Sequence, residues 1–250
     1  MPATRSTPAF GDLLGSTELG LVVVLVEPSD PRNIGAVARA MSNLGVSELR
    51  LVNAAEFDLD LARGVACWGR DLVTSSVRYE SLAAAVADAH HVVGFASDSA
   101  SHGVPQLLLE EWASSIDCSG SPRIALVFGS EENGLRREHF PLCQFLIRIP
   151  SAGDNPSYNL AQSVLLALYT LRSRSGMCVG SEQPEWAVSG QLEGLTEMVL
   201  RVATKSGFLN SHSPAHIQDL LINLTRRGRV NARELKILTG LVGMIDRKLG

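Results

Sequence analysis

The chain has 250 residues, 45% of them hydrophobic, and 22 Lys and Arg against 26 Asp and Glu give it a formal net charge of −4. That is enough apolar material for one well-filled core plus a smaller appended unit, and it excludes a fibrous or membrane-embedded protein. The acidic balance does not advertise a nucleic-acid binder, because phosphate neutralisation leaves a basic footprint.

The longest apolar run, Leu21 to Val26, is far short of the roughly 18 to 20 residues a membrane helix needs. No succession of basic, apolar and cleavage-site residues opens the chain, so a cytoplasmic protein without membrane contacts is expected. Cys67, Cys118, Cys143 and Cys178 form no CxxC pair and have no histidines at ligand spacing, so neither a disulfide framework nor a metal site is expected. Charge is unevenly placed. Arg226, Arg227, Arg229, Arg233 and Lys236 cluster near the C-terminus, with Arg201 and Lys205 just upstream, which allows a local basic surface on an acidic protein.

Residues 1–19, rich in Pro, Ser, Thr and Gly, read as a flexible extension. From Leu21 short β-branched runs alternate with helical stretches: LVVVLVE (21–27), NIGAVARAMSNLG (33–45), ELRLVN (48–53), then a helix near 58–67. The alternation continues through HVVGFAS (91–97), PQLLLEEWASS (105–115), RIALVFG (123–129), QFLIRIP (144–150) and a long helix over about 157–175. Strands that are continuous apolar runs, each followed by a helix, predict an α/β fold: a mostly parallel sheet with helices on both faces. The stretch 173–186 mixes Gly, Ser, Pro and Glu and reads as a linker. Beyond it three segments with apolar spacing near 3.6 predict a small helical unit, with Ser213–Pro214 and Asn231 as helix starts. The division is therefore an extension (1–19), a sheet domain (20–175), a linker (176–186) and a helical extension (187–250).

Three polar segments follow strands, where open α/β sheets bind ligands. In EPSDPRNIGAVARAM (27–41) a loop runs into a helix whose apolar stripe is Ile34, Val37, Ala38, Met41 and Leu44. Arg39 then shares another face with Asn33, Gly35, Ala36 and Ser42, leaving room for a phosphate or ribose; the plainer alternative is a solvated arginine. In LVFGSEENGL (126–135) Gly129 and Gly134 bracket a loop against which a flat ligand could lie, with Glu131 and Glu132 orienting it or capping the turn. The lysine and Ser/Thr of a P-loop are absent. In IPSAGDNPSYNLAQSVLLALY (149–169) a strand ends at Ile149 and a polar loop opens the long helix, with Asn155 or Ser157 as N-cap and Pro156 in the first turn.

In this order and spacing, N-x-G-x-x-A-R-A (33–40), F-G-x-E-x-x-G-L (128–135) and I-P followed by S-x-N-L-A (149–150, 157–161) resemble the signature motifs of the SPOUT (SpoU/TrmH-type) RNA ribose methyltransferases. Within that superfamily the chain is similar to the TrmJ-type enzymes, which modify tRNA nucleotide 32, and the likeness runs through the C-terminal tail over about residues 20–250. The resemblance implies a C-terminal trefoil knot, S-adenosylmethionine as cofactor, no metal, and a homodimer whose active sites are each completed by the partner subunit. Carried over by position, Arg39 is the principal catalytic residue, with Asn33, Glu131, Ser157 and Asn159. Cofactor contacts fall on Phe95, Ala96, Ser97, Gly129, Ile149, Pro156, Ser157 and Tyr158. Arg226, Arg227, Arg229 and Arg233 would contact RNA phosphates or simply form a solvated helix end. Two departures bear on the adenine pocket: Tyr158 stands where leucine is common, and Phe95-Ala96 is an uncharacteristic pair.

The implied function is 2′-O-methylation of a tRNA ribose. The competing expectations are an rRNA ribose or another tRNA position, and a catalytically silent RNA-binding relative. A nicotinamide-dependent oxidoreductase fits the α/β pattern alone, but no G-x-G-x-x-G follows a strand.

Overall fold

A computed structural model describes residues 20–96, 103–116, 122–152, 157–175, 186–210, 215–227 and 230–249; the extension of residues 1–19 and residues 176–185 of the linker lie outside them. Seven strands form one sheet: β1 (Gly20–Val26), β2 (Glu48–Val52), β3 (Val77–Tyr79), β4 (His91–Phe95), β5 (Gln106–Leu108), β6 (Arg123–Phe128) and β7 (Phe145–Arg148). Their order is β3-β2-β1-β6-β4-β7-β5, and every pairing is parallel.

Successive strand side chains face opposite ways, and on β1 this sorts Leu21, Val23 and Leu25 into one core and Val22, Val24 and Val26 into another. Both faces are therefore buried, which is why the strand reads as an unbroken apolar run rather than an alternating one. One face is covered by α1 (Pro31–Asn43), α2 (Leu59–Ala66), α5 (Leu109–Ser115) and α6 (Leu160–Ser175), through Ile34, Ala62, Trp112 and Leu168 among others. The other is covered by α4 (Leu82–Val86) and a 3₁₀ helix, Arg137–Leu142, through Leu82, Val86 and Phe140. A 3₁₀ turn, Cys67–Gly69, links α2 to α3 (Arg70–Thr74).

The elements depart from the sequence reading where short-range signals compete. Helix α1 begins two residues before the expected 33, because Asp30 caps it, accepting from the Arg32 amide, and Pro31 sits in its first turn. PQLLLEEWASS is not one element: Gln106–Leu108 pairs with β7, and the helix starts only at Leu109. Strand β3 and helix α4 were not foreseen, being three and five residues long, too short to show a period. The stretch read as linker from 173 is helical through Ser175.

Beyond the sheet, α7 (Ser189–Lys205), α8 (Ala215–Arg227) and α9 (Ala232–Lys248) pack with α7 in contact with both others. Asn231 starts α9 as expected: its side chain accepts from the Arg233 and Glu234 amides while Glu234 accepts from the Asn231 amide. Ser213–Pro214 lie outside the described residues. Among the described residues no helix is long and apolar enough to cross a membrane.

Candidate active site

Register brings Leu25, Phe95 and Ile147 beside one another through Phe128 and Phe95, so the C-terminal ends of β1, β6, β4 and β7 form one edge. Such edges are where parallel sheets bind ligands. After β6 the chain makes a tight loop closed by a bridge between Ser130 and Gly134, with the Gly134 amide donating to the Ser130 carbonyl at 2.9 Å. Gly129 is required there by space: a Cβ would lie 1.8 Å from the Gly134 carbonyl carbon. Gly134 is required by conformation, with φ of 63°.

Glu131, at the tip of that loop, holds the β1–α1 loop. One carboxylate oxygen accepts from the Ser29 amide and hydroxyl, each at 3.0 Å; the other accepts from the Asp30 amide at 3.2 Å and the Asn33 amide group at 3.0 Å. Burial pushes the Glu131 carboxyl up, but the bonds from Ser29, Asn33 and Asp30 together outweigh it and hold the group below the usual carboxylate range. The Asn33 carbonyl oxygen accepts from the Asn159 amide group at 3.0 Å. The Asn159 oxygen in turn accepts from the Ala161 amide at 2.9 Å and caps α6. Since a carboxylate can only accept and a helix N–H can only donate, this chain orients both amides. The three motif segments are thus joined by one hydrogen-bonded relay, Glu131–Asn33–Asn159, whose links span 98 and 126 residues of sequence. The α6 cap is Asn159 rather than Ser157, and Asn155 lies outside the described residues.

Beside the relay lies a cavity of about 340 Å³, within the size range of small-molecule sites. Phe95, Phe128, Ile147 and Ile149 give it an apolar wall, and Ser130, Glu132, Asn133, Ser157 and Asn159 a polar one. Phe95 stacks on Phe128 with centroids 4.3 Å apart and planes at 14°. A flat apolar wall facing a glycine-bracketed loop suits an adenosine-bearing ligand, whose ring can lie against main chain where no Cβ intervenes. Of the expected cofactor residues, Phe95, Ala96, Gly129, Ile149, Ser157 and Tyr158 line this cavity; Ser97 and Pro156 lie outside the described residues. The Tyr158 phenol donates to the Pro150 carbonyl at 2.9 Å, tying together the two ends of the loop where leucine offers no such bond.

Arg39 does not join this cavity within one chain. It lies six residues, about 9 Å, along α1 from Asn33, exposed and with no hydrogen-bond partner for its side chain among the described residues. Nor is its face open in the way expected, because Gly35 is buried: a Cβ there would meet the Ala62 carbonyl oxygen of α2 at 2.2 Å. The small residue lets two helices touch rather than admitting a ligand.

Sequence reasoning missed Ser29 and Asp30 as partners of Glu131, and the ion pair between Arg136 and Glu27 that joins the same two loops. A polar loop directly after a strand was their only signal. Of the C-terminal arginines, Arg233 is exposed in α9. Arg226 and Arg227 belong to the end of α8, and Arg229 lies outside the described residues. Among the described residues no group of His, Cys, Asp and Glu is arranged to hold a metal ion.

Comparison with known proteins agrees with this geometry. The tRNA (cytidine/uridine-2'-O-)-methyltransferase TrmJ of Sodalis glossinidius is 30% identical over 230 residues, 90% of each chain. The crystal structure of TrmJ from Z. mobilis superposes with a TM-score of 0.78 at 26% identity, covering 90% of this chain and 98% of that one. An AdoMet-bound rRNA methyltransferase from Sinorhizobium meliloti gives 0.50 at 26% identity, covering 68% of this chain and 61% of that one. The model of the SpoU rRNA Methylase family matches residues 20–169, which contain all three motif segments and every strand. On this match and the relay that its motifs build, the chain belongs to the SpoU rRNA Methylase family and is an RNA methyltransferase.

Proposed function

We propose that this protein transfers the methyl group of S-adenosylmethionine to a ribose 2′-hydroxyl of tRNA, at nucleotide 32 of the anticodon loop. The observation that carries the reading is the Glu131–Asn33–Asn159 relay beside a cavity walled by Phe95, Phe128 and Ile149. The tRNA substrate is supported by relatives named as tRNA methyltransferases whose likeness extends over 90% of the chain, helical tail included. The cofactor is supported by the fit of the cavity and by the AdoMet-bound rRNA methyltransferase to which the fold is similar.

When bound, the cofactor supplies a methyl group already activated by its sulfonium. The chain's own task is to place the 2′-oxygen in line with that methyl and to assist loss of the hydroxyl proton. A guanidinium donates hydrogen bonds and accepts none, so Arg39 serves by holding an RNA phosphate and stabilising negative charge developing on the 2′-oxygen. Ser157 lines the cavity and meets the ribose. Asn159, bonded to Asn33 and to the α6 cap, is a positioning residue, as are Asn33 and Glu131.

The reading includes a homodimer in which Arg39 of one subunit serves the cavity of the other, which accounts for its distance from the cavity of its own chain. Leu165 and Tyr169, exposed one turn apart on α6, supply apolar surface for such an interface. It includes a trefoil knot, supported by the insertion of β7 between the earlier strands β4 and β5. It also includes the division into a catalytic domain (20–175) and a helical RNA-binding extension (187–250), in which Arg226, Arg227, Arg229 and Arg233 meet phosphates.

Labelled S-adenosylmethionine and unmodified tRNA transcripts, followed by digestion and mass spectrometry, test the reading. A 2′-O-methylated nucleotide from position 32 is the expected product, and transfer to rRNA alone would overturn the substrate. Arg39→Ala should fold normally and lose roughly 100-fold or more in rate, the scale of removing one transition-state charge stabiliser; near wild-type turnover would remove Arg39 from the mechanism.

A further inference from the structure

Trp68 is 90% exposed, whereas Trp112 is 4% exposed and Trp186 is half-buried. Tryptophan carries the largest apolar surface of any side chain and is highly buried on average, so an indole left in water calls for an occupant. Its backbone is held there against local preference: Cys67, immediately before it, has φ of 51° and ψ of −109°, a left-handed conformation that costs a non-glycine residue and persists only where surrounding structure imposes it. Gly69, immediately after Trp68, packs on the neighbouring helix. Gly69 is buried against α1 so closely that a Cβ would lie 2.4 Å from the Ala38 carbonyl oxygen and 3.0 Å from the Arg39 amide nitrogen.

This contact places Trp68 by the substrate-holding arginine. One Cα step is about 3.8 Å, so the Trp68 Cα stands within about 8 Å of the Arg39 amide. Arg39, Arg63 and Arg70 are exposed on α1, α2 and α3, in sequence beside the exposed acids Asp60 and Asp71, and none of the three arginines forms an ion pair among the described residues. An exposed aromatic ring among unpaired arginines is the combination by which proteins hold unstacked nucleotides, with the ring carrying a base face and the cations the backbone.

We propose that Trp68 is a stacking platform for a base of the RNA whose phosphate Arg39 holds, with Arg63 and Arg70 flanking it on the phosphate backbone. The inference rests on the RNA-methylating reading above and adds to it a binding residue outside the family's three motifs. A ribose in a loop can be reached only if its nucleotide is held out of its own stack, and an aromatic face near the phosphate clamp stabilises that splayed arrangement.

Steady-state methylation of unmodified tRNA by wild type, Trp68→Ala and Trp68→Phe tests it, together with tryptophan fluorescence during tRNA titration and sedimentation of each protein. Trp68→Ala should raise KM for tRNA about 10- to 100-fold, the range of one lost base stack, with kcat within a few-fold and KM for S-adenosylmethionine unchanged. Trp68→Phe should restore KM to within a few-fold, because any aromatic face serves, and should lack the solvent-exposed emission that tRNA quenches in wild type. KM unchanged in Trp68→Ala, or not restored by phenylalanine, overturns the stacking role while leaving the reaction standing. A monomer–dimer equilibrium shifted by Trp68→Ala overturns it in favour of a subunit contact. Wild type that leaves tRNA unmethylated overturns the proposed reaction, and this role with it.

Discussion

At the scale of single residues, the site works by leaving no polar atom of its relay undirected. Glu131 receives four donors from Ser29, Asp30 and Asn33, more than a neutral amide in its place could accept. Its neighbour Gly129 shows the same exactness in shape. Gly129→Ala must push its new Cβ away from backbone at 1.8 Å, and backbone has no rotamer by which to yield. The loop will open on the cavity side, and S-adenosylmethionine affinity should fall by roughly 10- to 100-fold, as about 1–3 kcal/mol of overpacking implies. Calorimetry measures this directly; affinity equal to wild type would mean that the loop does not bound the cofactor.

At the scale of elements, two histidines tie the sheet's far side to pH. His90, just before β4, accepts from the Arg123 amide through Nδ1 at 2.9 Å, and that nitrogen must be unprotonated to do so. His139 lies buried in the 3₁₀ helix beneath the sheet. Burial pushes both imidazoles below their ordinary value of 6.5, and for His90 the charge on Arg123 adds to the effect. An unfolded chain then takes up protons that the folded one refuses, so their contribution is fully present above about pH 6.5 and is lost as pH falls through the folded values. The melting temperature should drop between pH 7 and 5, before most carboxylates titrate, and the fall should be shallower in His90→Asn/His139→Asn. A melting temperature flat over that interval would show that neither imidazole is held neutral.

At the scale of the whole molecule, one chain separates the two halves of the proposed chemistry. The cavity and relay lie at the strand ends, while Arg39 stands six residues along α1 with no partner for its side chain among the described residues. A homodimer that exchanges Arg39 between subunits makes a distinctive prediction. Arg39→Ala and Gly129→Ala proteins, each poorly active alone, should regain activity on mixing, because one of the two sites in a mixed dimer combines an intact cavity with an intact arginine. Activity no greater than the sum of the separate variants, with mixed dimers shown to form, would place Arg39 in the site of its own chain.

The parallel sheet was legible in the sequence for local reasons, and the motif residues through their resemblance to a known family. Continuous apolar strands declare burial on both faces, and Asn33, Glu131 and Asn159 stand at strand-to-helix junctions where a ligand edge must lie. Tertiary contact decided the rest. Gly35 reads as room for a ligand until α2 is laid against it, and Gly69 is unremarked until its contact with Ala38 sets Trp68 beside Arg39. Strand β3 takes its form from β2 and helix α4 from the sheet face that it covers. Periodicity reports how a segment meets water, whereas close backbone approach and hydrogen bonds across a hundred residues exist only once the partner segments have been brought together.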